Sequence, residues 1–245
     1  MSQEWDAVTY DRVADPQARW GAGVIGRLDP GIRLVLDAGC GSGRVTQQLL
    51  DRFPRAHVVA LDASAQMLEG SRRRLSGYGP RVSFVQADLR EPLPLDRPVH
   101  AIVSTATFHW VPDHAALFRR LAAALEPGGQ LVAQCGGAGN IASVVRALAV
   151  LGDPLPGRWT YPEPGPERRS LLDAGFVDVQ VWLQPEPTAF EPGEPFETFL
   201  ATVVLREHLA LLPEGERLAF VRSVAALLPG PSLDYVRLNV VARLG

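Results

Sequence analysis

The chain has no lysine; all 24 of its basic residues are arginine. This excludes a Walker phosphate loop, whose lysine reaches the outer phosphates, and it excludes Schiff-base and pyridoxal chemistry. Cysteine is almost absent as well. Cys40 and Cys135 are too few for a disulfide framework or a cysteine-built metal site, and such usage points to a reducing cytoplasm. No apolar run is long enough to span a bilayer, and the opening segment, with Glu4, Asp6, Asp11 and Arg12, does not read as a signal peptide. Nor is there a surplus of one charge. A net charge of -3 leaves no electrostatic footprint for nucleic acid or an anionic membrane. The basic run Arg72-Arg73-Arg74 sits inside an expected helix and reads as a solvated face.

What is present is an ordinary globular balance. The 245 residues are 47% hydrophobic and 21% charged, which fits a single large domain with a substantial core. The most informative stretch is Val35-Leu36-Asp37-Ala38-Gly39-Cys40-Gly41-Ser42-Gly43-Arg44. An apolar run ends in an acid, glycines follow at alternate positions, and a helical pattern with Val45, Leu49 and Leu50 on one face begins at once. That order reads as strand, tight turn and helix, with a backbone bare enough for a nucleotide-like ligand to lie against it. About 20 residues beyond the glycines a second apolar run ends in Asp62, placed to accept bonds from ribose hydroxyls.

The details of the turn decide the kind of nucleotide. A dinucleotide fingerprint requires G-x-G-x-x-G, whereas here the spacing is G-x-G-x-G and Arg44 stands in the sixth place. Asp37 ahead of the turn would repel a pyrophosphate and suits a ligand carrying an ammonium group. S-adenosylmethionine (SAM), an adenosine with a zwitterionic sulfonium and no phosphate, has that chemistry. The competing readings are an NAD(P)-dependent oxidoreductase, disfavoured by the missing glycine, and a protein that uses SAM non-catalytically.

Strand-like and helix-like segments alternate through the first half, the mark of a parallel sheet. Strands are expected over 34–36, 58–61, 82–86, 99–104 and 131–134, and helices over 44–52, 65–75 and 114–125. Asp113 is the expected N-cap of the last helix, with Pro127-Gly128-Gly129 as its stop. A further amphipathic segment spans 18–28. Beyond it, 141–151 and 167–174 read as helices, and 177–183 and 235–242 alternate like strands. Residues 196–228 read as two helices parted by Pro213, and 153–166 is a stiff segment with five prolines. Segments 1–28, 139–170 and 190–230 are expected to form a helical lid, within one domain spanning 1–245.

These residues resemble a class I SAM-dependent methyltransferase, and most of all the trans-aconitate methyltransferase group. The general part of the resemblance is the glycine turn, Asp62 with Met67, and Gln86-Ala87-Asp88-Leu89. The narrower part is Trp5, Tyr10 and Arg19, then Phe108-His109-Trp110-Val111-Pro112-Asp113-His114, and Arg237 in Tyr235-Val236-Arg237-Leu238. The resemblance implies an α/β, Rossmann-like doubly wound sheet of order 3-2-1-4-5-7-6 with the seventh strand antiparallel. It implies that Asp62 holds the ribose, that Asp88 takes the adenine amine, and that Met67 and Leu89 sandwich the ring. Asp37, Gly39, Gly41, Gly43, Ala63, Ala87, Ser104 and Arg19 complete the expected cofactor set. Met67 as core filling and Asp88 as a turn cap are the alternative readings.

The implied function is methyl transfer from SAM to a small-molecule acceptor, at an oxygen and possibly at the carboxylate of a trans-aconitate-like or natural-product acid. A phenol or amine of a secondary metabolite is the alternative acceptor. Neither nucleic acid nor membrane is an expected partner, and the protein is expected as a monomer or homodimer. A carboxylate, with pKa about 4, is ionised at neutral pH and needs only orientation. A phenol or alcohol would need a base. His109, just past the fourth strand, is the candidate base or orienting group. Tyr10, Trp110, Arg158, Trp159, Tyr235 and Arg237 are the candidate acceptor residues, because a planar guanidinium pairs well with a carboxylate. His57 and His114 read as structural or solvated. No metal site is expected, since a helix cannot aim residues i and i+5 at one ion.

Overall fold

The computed structural model describes residues 15–245, with side chains from Trp20 onward. Its centre is β1 (Leu34–Ala38), buried at every position. A parallel strand covered on both faces must be apolar throughout. Alternation sends Val35 to one face, with Leu49, Leu50 and Val58. It sends Leu36 and Ala38 to the other, with Ile102, Leu117 and Phe118. Helix α1 (Asp15–Ile25) precedes β1, and α2 (Arg44–Arg52) follows it. Next come β2 (His57–Asp62), α3 (Ala65–Leu75), β3 (Val82–Gln86), β4 (Val99–Thr105), α4 (His114–Ala124) and β5 (Leu125–Gly136). The second half contributes α5 (Ala142–Val150), α6 (Pro164–Asp173) and β6 (Phe176–Pro185). After these come a short strand β7 (Thr188–Ala189), α7 (Glu194–Phe199), α8 (Arg206–Ala210), α9 (Glu214–Leu227), β8 (Ser232–Leu233) and β9 (Val236–Leu244).

The large sheet has the order β3-β2-β1-β4-β5-β9-β6. Strands β1 to β5 pair in parallel, and β9 runs antiparallel to both β5 and β6. The seventh strand of the sheet is therefore reversed, as expected. Strand order reverses between β1 and β4, which opens a crevice at the carboxyl ends of these strands. Asp113 caps α4 by accepting the Ala116 N–H at 2.8 Å, and Ser64 caps α3 by accepting that of Met67 at 3.2 Å.

Two expectations change. The strand expected over 131–134 is the middle of the longer β5, because Leu125 already pairs with Val99 before a register shift at the Pro-Gly-Gly turn. The segment expected as two helices breaks at Pro213, as read, but also at a wide π turn over Leu200–Val204, closed by a Leu205 N–H to Leu200 carbonyl bond of 2.7 Å. That turn keeps Phe199, Leu200, Val204 and Leu205 together in a second apolar cluster with Trp20, Ile141 and Tyr235. This cluster is contributed by α1, α5, α7, α8, α9 and the short strand β8 rather than by the large sheet. Among the described residues no helix is long and apolar enough to cross a membrane.

Candidate active site

The glycine turn is tied to the end of β2: the Gly39 and Cys40 N–H groups donate to the Leu61 carbonyl at 2.8 and 2.9 Å. Gly39, Gly41 and Gly43 have φ of 84, 54 and 84°, the left-handed region that an L side chain rarely adopts. A Cβ on Gly39 would stand 2.2 Å from Thr107 Oγ1, so β1 and the loop after β4 meet over a bare backbone. Asp62, the last residue of β2, accepts the Gly41 N–H at 2.8 Å on one carboxylate oxygen and the Ser64 N–H at 2.9 Å on the other. Its carboxylate is thereby locked across the mouth of the turn. Gly39, Gly41, Asp62, Ala63, Met67 and Leu89 line one end of a cavity of about 270 Å³, with Ala87 and Asp88 beside them.

Three expected cofactor residues stand behind this wall instead of lining it. Asp37 is fully buried and accepts the Thr46 hydroxyl at 2.6 Å. Burial pushes its carboxyl up to about 7, against the Thr46 bond and helped by the Asp62 charge. Gly43 caps α2, and Ser104 donates to the Ala38 carbonyl at 2.7 Å. All three brace the turn. Asp88 lines the cavity while its carboxylate caps a turn, accepting the Arg90 N–H at 2.9 Å and the Arg90 guanidinium at 3.0 and 2.5 Å. The guanidinium bond is the main reason its carboxyl lies below the ordinary range.

At the other end, β4 runs into a single helical turn, Phe108–Trp110. His109 is almost fully buried and lines the cavity. Its Nδ1 accepts the Gly136 N–H at 3.4 Å, so the ring proton sits on Nε2. Burial first, then the Arg237 guanidinium and His114, pushes its pKa well below 6.5. His109 is a neutral hydrogen-bond donor. The turn is held from behind by His114, whose Nε2 lies 3.0 Å from the Phe108 carbonyl and whose Nδ1 lies 2.7 Å from Glu167. Arg237 comes from β9, in register with Gly136 of β5, and its guanidinium lies 4.3 Å from the Trp20 ring centre.

The Pro-rich segment closes this end. Trp159 and Tyr161 stack with ring centres 6.0 Å apart and planes at 12°, and Trp110 meets Trp159 edge-on at 6.3 Å. Arg158 lies over Trp110 at 5.4 Å and forms an ion pair with Glu207. The expected residues Trp110, Arg158, Trp159, Tyr235 and Arg237 therefore share one cavity with His109. Tyr10 and the Arg19 side chain lie outside the described residues. Sequence reasoning missed Asn140, Val203, Val204 and Glu207, which line the same cavity. Glu207 sits in an ordinary helical pattern and carries no sequence signal, whereas the Trp-x-Tyr spacing of Trp159 and Tyr161 was a usable one.

The arrangement fits a nucleoside that carries no phosphate. Gly41 has open space beside its backbone, the Asp62 carboxylate stands across the mouth of the turn, and no lysine stands by for a phosphate. Among the described residues no cluster of His, Cys, Asp or Glu could hold a metal ion.

Comparison with known proteins agrees. A family model for a methyltransferase domain matches residues 35–129. A trans-aconitate 2-methyltransferase of Methylobacterium radiotolerans is 31% identical over 98% of this chain and 98% of its own length. The chain belongs to the class I SAM-dependent methyltransferases. A trans-aconitate 2-methyltransferase of Acidovorax ebreus is 40% identical over 54% of this methyltransferase, which spans about half, 49%, of that relative. Two solved structures share the fold at low identity. One is a Haemonchus contortus phosphoethanolamine N-methyltransferase in complex with SAM (TM-score 0.65, 17% identity, 98% of this chain and 57% of that one). The other is a putative sarcosine dimethylglycine methyltransferase of Galdieria sulphuraria (TM-score 0.62, 15% identity, 93% and 85%). The cofactor of this methyltransferase is SAM.

Proposed function

We propose that the enzyme esterifies the carboxylate of a small organic acid, and that it does so without a general base. The observation that carries this reading is the placement of His109, whose Nδ1 accepts the Gly136 N–H and whose pKa burial holds well below 6.5, in one cavity with the buried guanidinium of Arg237. A base for a phenol or alcohol would need a free lone pair aimed at the acceptor, and His109 spends its lone pair on Gly136. Tyr161 and Cys135 serve no better, because burial pushes the phenol up and the thiol to about 12. An acceptor that arrives already ionised meets donors here.

In this reading Asp62 holds the ribose hydroxyls, and Met67 and Leu89 flank the adenine, whose amine turns to Asp88. Gly39, Gly41, Ala63 and Ala87 supply backbone surface, and Asp37, Gly43 and Ser104 support it from behind. The bound cofactor supplies an electrophilic methyl on sulfur. An acceptor carboxylate oxygen forms the O–CH3 bond as the S–CH3 bond breaks and its electron pair stays on sulfur; no proton moves. The protein's contribution is alignment and desolvation, and alignment alone can supply about 7–11 kcal/mol. Arg237 and the His109 N–H orient the carboxylate, Trp110 walls it, and the segments at 139–170 and 190–230, with α1, act as a lid that excludes water; the first 14 residues of the expected 1–28 lid segment lie outside the described residues.

Incubation with methyl-labelled SAM and matched panels of acids, phenols and amines, read by mass spectrometry, tests this. The expected product is a labelled methyl ester. Label on phenols or amines with none on acids contradicts it.

A further inference from the structure

Three polar side chains converge over Gly136, at the carboxyl end of β5. The Gly136 N–H donates to His109 Nδ1 at 3.4 Å, and a Cβ on this glycine would stand 2.9 Å from Asn140 Nδ2 and 2.6 Å from Tyr161 Cε1. The ring centres of His109 and Tyr161 lie 6.0 Å apart. All three side chains line the cavity, yet each reaches it from a different segment: the turn after β4, the loop between β5 and α5, and the Pro-rich segment.

The backbone sets the direction of Asn140. Its Oδ1 accepts the Val236 N–H at 3.0 Å, which leaves Nδ2 to face the Tyr161 phenol as a donor. The phenol oxygen is thus the acceptor in that contact and keeps its own proton to give. Burial pushes the Tyr161 pKa up, against the Asn140 contact and the nearby Arg237 charge, so the group stays an O–H. Its ring is held in place as well. It stacks on Trp159 with planes at 12°, while the neighbouring Thr160 N–H donates to the His109 carbonyl at 2.9 Å and the Pro162 carbonyl accepts the Ala138 N–H at 3.0 Å.

Resting on the carboxylate reading above, we propose that Tyr161 is an acceptor-binding residue, whose O–H joins the His109 Nε2–H in holding the carboxylate oxygen that does not attack the methyl. A carboxylate loses its negative charge as the ester forms, so a hydrogen bond donated to it is strongest before the methyl moves. The hydroxyl therefore contributes to binding of the acid and little to the chemical step.

Tyr161→Phe tests this, since it removes the hydroxyl and keeps the ring that stacks on Trp159. Trans-aconitic, trans-cinnamic and indole-3-acetic acids form the acid arm of the labelled panel, and the one that wild type esterifies best is carried into kinetics. In Tyr161→Phe the KM for that acid is expected to rise about tenfold or more with kcat within about threefold, as for a lost bond to a charged group that is made in the ground state. SAM affinity by calorimetry stays near wild type, which also reports that the variant is folded. An unchanged KM, a loss that falls on kcat alone, or an equal loss of SAM affinity overturns the proposal while the carboxylate reading stands. Label on no acid overturns both.

Discussion

At the scale of a single residue, His114 shows how much of the site is decided out of sight of the ligand. Both ring nitrogens face acceptors, the Phe108 carbonyl and the Glu167 carboxylate, and both partners of the ion pair are buried. Burial alone would lower the pKa of His114, but the hydrogen bond and charge of Glu167, with smaller help from Phe108 and Asp113, outweigh it and raise it. Because the folded-state pKa lies above the unfolded one, the pair's stabilisation is fully present below about pH 6.5 and fades as pH rises through the raised value. Glu167→Gln leaves the imidazole without its counter-charge. It is expected to cost about 3–5 kcal/mol at pH 6, with the deficit shrinking at alkaline pH. Thermal melts of both proteins across pH 6 to 9 check this; a deficit that does not vary with pH contradicts it. In the sequence His114 read as structural or solvated. It is structural, but Glu167 lies too far along the chain for any local pattern to join them.

Elements were legible where the chain repeats one device. Strand, turn and capped helix could be read for β1 to α4 because each strand is a short apolar run and the helix starts carry local signals, glycine before α2 and the polar caps Ser64 and Asp113 before α3 and α4. The second half was read less well. There, helices break at a π turn and at short segments whose ends depend on the second apolar cluster and not on local punctuation. The carboxyl end of β5 illustrates a requirement visible only in three dimensions. A Cβ on Gly136 would lie 2.6 Å from Tyr161 Cε1 and 2.9 Å from Asn140 Nδ2, so the absence of a side chain there lets the aromatic wall close and the Gly136 N–H reach His109. Gly136→Ala is expected to displace Tyr161 and lower acceptor kcat/KM about tenfold or more, since overpacking costs typically about 1–3 kcal/mol. SAM affinity by calorimetry should stay near wild type. Unchanged kcat/KM, or an equal loss of SAM binding, contradicts that division.

Across the whole molecule, the cavity has a glycine-turn end lined from the ends of β1 and β2 and from the segment after β3, and an aromatic end assembled from the turn after β4, the Pro-rich segment, α8 and β9. The family model ends at residue 129, so it spans the glycine-turn end and the turn after β4, and leaves out the Pro-rich segment, α8 and β9. Asp62, Met67 and Leu89 were legible as one group because they belong to local strand-end and helix-start patterns, and they line one end of the cavity. Glu207 and Asn140 were not, because their partners, Arg158 in the Pro-rich segment and Val236 in β9, lie far from them along the chain. The same assembly buries His109 between Gly136 and Arg237 and keeps it uncharged.

The pH dependence of kcat on an acid substrate, for the wild type and His109→Asn, tests the base-free account most directly. It predicts a plateau between pH 6 and 8, above the acceptor's own pKa of about 4, with His109→Asn within about tenfold of wild type on the same plateau. A wild-type limb that rises through the histidine range and disappears with a far larger loss in His109→Asn would show that a proton must be removed, and would contradict it.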